Sequence, residues 1–209
     1  MTFPKEFKAA ISELSSKEKD KLIFRLLKKD LVLANRLMFE LVSHTTVEEQ
    51  RQKVYDRIVN QIGWMKERFY SPGYLHMELR YLSGEINEHV SITKDKYGEV
   101  QLNLAMLVKV LENVGDLVLP FPKAKTHKFS LYVVARAFKI LILISKMHED
   151  LWMEFEERTT KLGELMGQYP YLMETAIHHG LDVNWLIRFD IPKNIEAVHK
   201  NLRTRGYLK

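Results

Sequence analysis

The chain is expected to be all-α, and three observations predict this. Apolar residues recur at spacings of three and four along most of its length, helix-start signals fall between those runs, and no stretch alternates as a strand within a sheet would. The expected architecture is an irregular bundle of about nine helices around a central buried helix at about 128–165. A single domain over 1–209 is expected, with 115–128 as the candidate lobe boundary.

The central helix rests on the run from Leu131 to Ile144, which is apolar except for Arg136 and Lys139. Three-residue spacing puts those two cations on one side, so the helix is wet along a single stripe, as in the middle of a bundle. Two internal cations and the brevity of the run argue against a membrane span, which needs roughly 20 apolar residues. Past Met147 the pattern narrows to Trp152, Phe155, Leu162 and Met166, with glutamates on the other faces.

Before it, residues 3–14 carry Phe7, Ala10, Ile11 and Leu14 at helical spacing. Ser15 with Glu18 is a capping box opening a second helix on Leu22, Ile23, Leu26 and Leu27, with lysines outward. Asp30 N-caps a third, on Leu33, Leu37, Met38 and Leu41. Thr46 with Glu49 repeats the capping box for a fourth, through Val54, Ile58, Ile62 and Met65. Ser71-Pro72 starts a fifth, because proline at the first helical position loses no bonded amide, and Ser83-Gly84 is its candidate kink. Thr93 to Gly98 reads as a turn, and a sixth helix on Val100, Leu104, Leu107, Val108 and Leu111 ends at Asn113-Val114-Gly115-Asp116. The only long connection then expected is Gly115 to Lys128, holding Pro120 and Pro122. After the central helix, Tyr169-Pro170 starts a further one, and short helices near 171–179, 183–189 and 194–204 complete the chain.

The 209 residues are 46% hydrophobic and 28% charged, an ordinary globular balance. There is no cysteine, which excludes disulfides and thiolate metal sites. The first residues show no apolar signal core, which makes the cytoplasm the expected compartment. The formal charge is +5, and the excess lies at the end: residues 193–209 hold five cations and one acid.

No glycine-rich phosphate loop, Gly-x-Ser-x-Gly elbow or His-Glu-x-x-His helix is present. Glu85, Glu88 and His89 lie at spacings of three and four, which a helix needs for several side chains to reach one divalent ion. His178 and His179 are neighbours about 100° apart on a helix, placed to end it before Gly180. Ala176, Gly180 and Leu186 have helix-turn-helix spacing, with 183–189 as the recognition helix, although that segment offers few base-reading groups. Lys123, Lys125 and Lys128, with Lys200, Arg203, Arg205 and Lys209, form the candidate polyanion-binding set.

Lys17-Glu18-Lys19-Asp20-Lys21-Leu22-Ile23-Phe24-Arg25-Leu26-Leu27-Lys28-Lys29-Asp30 and Leu82-Ser83-Gly84-Glu85-Ile86-Asn87-Glu88-His89-Val90 resemble an uncharacterised family of small all-helical bacterial proteins. Some of its members are labelled dUTP nucleotidohydrolases. That label would imply likeness to the all-α nucleoside triphosphate pyrophosphohydrolases, which hold magnesium with Glu-x-x-Glu on one helix and Glu-x-x-Asp on the next. Glu85 and Glu88 match the first half. The second half has no match: Glu99 has no acid three residues on, and Glu112 and Asp116 stand four apart.

The expected function is therefore a non-catalytic cytoplasmic scaffold without cofactor, binding a protein or nucleic acid through the 115–128 segment and the basic C-terminus. No membrane partner is expected, and Gly163-x-x-x-Gly167 would permit either a homo-oligomer or an internal helix contact. The alternative is a magnesium-dependent pyrophosphohydrolase using Glu85 and Glu88, and the third reading is a helix-turn-helix DNA binder.

Overall fold

The computed structural model describes residues 2–209, which form eleven α-helices and one 3-10 turn, with no strand among the described residues. The chain divides into two compact units, residues up to 46 with 91–93, and residues 47–90 with 94–209.

The first unit holds α1 (Lys5–Glu13), α2 (Ser16–Leu27) and α3 (Leu31–Val42). Local chemistry sets their ends. Ser15 and Glu18 make the capping box reciprocally, and Asp30 accepts the Leu33 amide at 3.0 Å. Helices α2 and α3 pack on each other, yet none of the three helices contains a buried residue.

The second unit contains the core. It comprises α4 (Val47–Glu67), α5 (Pro72–Thr93, less its last three residues), α6 (Lys96–Val118), α7 (Lys123–Ser145), α8 (Met153–Gln168), α9 (Pro170–His178), α10 (Asn184–Ile187) and α11 (Ile195–Thr204). Helix α6 packs against α4, α7 and α8, α7 against α9 and α11, and α8 against α10. Phe129, Val133, Val134, Phe138, Leu141 and Ile144 of α7 are fully buried, as the apolar run requires, and α6 is buried alongside it through Leu102, Leu104, Leu107, Val110 and Leu111.

Four boundaries differ from the sequence reading. The connection expected over 115–128 is only residues 119–122, because α6 continues through Gly115 to Val118 and α7 begins at Lys123. Gly115 ends nothing: a Cβ there would collide with the Tyr169 ring, whose hydroxyl donates to the Leu111 carbonyl at 3.1 Å. The single helix expected over 128–165 is two, α7 and α8. Between them the Trp152 indole N–H donates to the Met147 carbonyl, His148 accepts the Asp150 amide, and Glu149–Leu151 forms the 3-10 turn. Helix α5 runs unbroken through Ser83-Gly84, the Ser83 hydroxyl donating back to the Leu79 carbonyl. The turn expected from Thr93 to Gly98 is Lys94 and Asp95 alone; Lys94 takes the left-handed conformation and Asp95 caps α6 at the Gly98 amide.

Candidate functional site

Helix α7 begins with Pro122 in extended conformation, which fixes the entry angle but supplies no side-chain cap. Its opening residues carry Lys123, Lys125 and Lys128, with no acid in the first turn. Cations at a helix N-terminus oppose the macrodipole, so this arrangement costs stability unless something negative answers it. Lys123 meets Glu174 of α9, whereas Lys125 and Lys128 are exposed and make no ion pair within the described residues.

Helix α11 runs back along α7 towards this same end. At the far end Lys146 meets Glu196 at 2.8 Å, and midway the Phe138 and His199 rings lie 5.5 Å apart. At the near end the chain turns at Gly206, whose φ of +92° suits a residue without a side chain. Gly206 and Tyr207 donate to the Arg203 and Leu202 carbonyls, a Schellman pairing that closes α11. Helix α9 ends in the same way: Gly180 (φ +73°) and Leu181 donate to Ile177 and Ala176, as the paired histidines before a glycine led one to expect.

The two helix ends are then joined. The Leu208 amide donates to His179 Nδ1 at 3.2 Å, the Tyr207 ring lies edge-on to His178 and His179, and the His127 ring lies 6.4 Å from that of His179. A Cβ on Gly180 would press on Leu202, so the glycine also admits α11. Arg203, Arg205 and Lys209, some 80 residues from Lys125 and Lys128 in sequence, are thereby carried on the segment that docks beside the start of α7. Lys200 is exposed one turn earlier on α11.

Three imidazoles in this part of the molecule are held below the ordinary histidine pKa, each by burial first. Burial lowers the His179 pKa first, with His178 and His127 adding to it. His76 on α5 is lowered by burial and then by Arg80 and Lys128, and His199 by burial and then Arg203, with Glu196 opposing. His76 and Arg80 had no sequence signal linking them to Lys128, because that neighbourhood is made by packing.

The acidic candidates are arranged differently. Glu85 pairs with Arg57 at 2.9 Å. His89 is buried and points its Nε2 to Asp95 Oδ2 at 3.0 Å, away from any shared position with Glu85. Glu88 is exposed on the same helix. Asp95 also accepts from Arg51 Nε at 2.6 Å and Nη2 at 2.9 Å and from the Gly98 amide at 2.8 Å. Burial pushes its carboxyl up, but the bonds from His89, Arg51 and Gly98 outweigh this and hold it at about 2. Glu99, buried one turn on, pairs with Lys139 at 2.8 Å. No group of three metal-capable side chains gathers among the described residues.

The segment read as a recognition helix is the single turn α10, with Leu186 buried and Trp185 edge-on to Phe138. Asn184 and Arg188 are exposed on and beside this turn. Its close partner is Gly163, where a Cβ would lie 2.8 Å from the Ile187 amide and from Leu186. The same contact shows Gly163 of the Gly-x-x-x-Gly pair serving an internal approach, while Gly167 has open space. No described helix is long and apolar enough to cross a membrane. Neither a family model, nor a curated protein, nor a solved structure matches this chain.

Proposed function

We propose that the chain is a non-catalytic, cytoplasmic helical adaptor that binds a polyanionic macromolecule through the basic end formed by the start of α7 and the tail after α11. Nucleic-acid phosphate is the chemistry this end suits best, since arginine pairs with phosphate oxygens in a fork and lysine supplies mobile point charge. The observation that carries the reading is the Leu208–His179 anchor, which brings a basic tail to an uncapped, lysine-bearing helix start. A tail serving only solubility would need no anchor. The magnesium alternative through Glu85 and Glu88 is less favoured, since Glu85 already answers Arg57 and the nearby Asp95 and Glu99 answer Arg51 and Lys139 of the chain itself.

The test is anisotropy of labelled single-stranded RNA, single-stranded DNA and duplex DNA across a salt series, for the native chain and for K125E/K128E/R203E/R205E. All four positions are exposed, so the fold should persist in the variant. Binding should weaken with salt at a log–log slope of about −3.6 on duplex and about −2.8 on single strands if four phosphates are neutralised, and more steeply if more are. The variant should lose at least about tenfold, near 1.4 kcal/mol. No binding at low salt, or an unaffected variant, overturns the proposal.

A further inference from the structure

Residues 2–46 fold into three helices without burying a single residue, although apolar side chains are plentiful there. Leu14, Leu22, Leu27 and Leu37 are half-buried. The outer face is another matter. Eleven of the large exposed apolar side chains among the described residues belong to this stretch, including Phe24 at 64%, Met38 at 60%, Leu41 at 79% and Val42 at 69% exposure. Spacings of seven, three and four put Leu31, Met38, Leu41 and Val42 on one side of α3. A soluble monomer's largest patch is ordinarily a few hundred Å², and the eleven side chains together present on the order of 1,000 Å² of apolar surface. That is about the area one partner contributes to a stable dimer, roughly 800 Å².

We infer that this face is the interface of a homodimer, covered by residues 2–46 of a second copy of the chain. Three features select a second copy. The face is leucine, valine, isoleucine, methionine and phenylalanine, with no tryptophan or tyrosine anywhere in residues 2–46. It resembles half of a domain core, as permanent homodimer interfaces do, and lacks the aromatic–polar anchors of transient interfaces and of membrane surfaces. The charges around it are mixed: Lys17-Glu18-Lys19-Asp20-Lys21 alternates in sign, and the stretch as a whole holds nine cations and six acids. Such a rim can pair with a two-fold copy of itself, whereas an acidic lipid surface calls for one sign. Finally, three helices without a buried residue gain little from their own packing, so the covering surface must be present whenever the chain folds. A second copy always is.

The experiment is light scattering coupled to size exclusion, from about 1 to 100 μM, on the full chain, on F24E/L41E and on the conservative L41M. The native chain and L41M should run at twice the 24.7 kDa chain mass, and F24E/L41E at that mass once. Circular dichroism of F24E/L41E should keep most of its helical signal, because every buried apolar side chain lies beyond residue 46, and lose at most the share of α1–α3. A native chain that remains monomeric throughout overturns the inference, as does a dimer undisturbed in F24E/L41E. A native monomer that floats with vesicles of anionic phosphatidylglycerol overturns it in favour of a lipid surface.

Discussion

The Leu208 amide donates to His179 Nδ1 at 3.2 Å, across 29 residues of sequence, and this bond fixes both partners. With Nδ1 accepting, the neutral ring carries its proton on Nε2, which is buried without a partner among the described residues. The tail is thus held by the one tautomer that leaves a donor unanswered. Replacing His179 with alanine should cost about 2 kcal/mol through the lost bond and the vacated volume. It should also free the last residues, seen as faster Leu208 amide exchange and faster tryptic cleavage after Arg205.

Acid should release the same tail. A proton on Nδ1 removes the acceptor that Leu208 uses, and burial with the nearby histidines already holds the His179 pKa below its ordinary 6.5. His76 and His199 are shifted in the same direction. For each of them the unfolded chain binds a proton more readily than the folded one, so stability is full above pH 6.5 and falls as pH drops through that value. The melting temperature should decline between pH 7.5 and 5.5, with Leu208 protection lost in step. An H179Q/H199Q variant should show a flatter decline over that window.

Asp95 belongs to a separate, more acidic window. Its carboxyl is held at about 2, against an ordinary 3.8, so its contribution is full above pH 4 and lost as pH falls towards 2. Its partner Arg51 is largely buried and also lies over the Tyr97 ring at 4.9 Å. Removing one member of such a pair leaves the other buried and uncompensated, at a cost of about 3 kcal/mol. Arg51→Met and Asp95→Asn should each lower the urea midpoint substantially. The double variant should lose less than the sum of the two, because the second change removes a charge already stranded by the first.

What the sequence made legible was local. Ser15 with Glu18, Asp30, Ser71-Pro72 and Gly180 mark helix ends because the groups that satisfy those ends lie within a few residues. Gly115 misleads because its reason is the Tyr169 ring, 54 positions later. The break after Ser145 carries no proline or glycine; Trp152 and His148 make it, and both also read as ordinary helical residues. The basic residues themselves were visible, but not their gathering. That depends on α11 lying along α7 and on a histidine read from sequence only as a helix end.

The glycines offer a test in which the same substitution should act with opposite sign. Gly84 lies within α5 and has nothing within 4 Å of where a Cβ would stand. Alanine there should stabilise by up to about 1 kcal/mol, since glycine loses more backbone freedom on entering a helix. Gly163 has the same helical preference for alanine, but its Cβ would stand 2.8 Å from the Ile187 amide and the Leu186 side chain. Backbone cannot yield there as a flexible side-chain tip would, so α10 must lift from α8. Gly163→Ala should therefore destabilise by about 2 kcal/mol, the range of core overpacking. Urea titrations of the two variants decide it, and equal stabilisation by both would mean that α10 does not pack on Gly163 in solution.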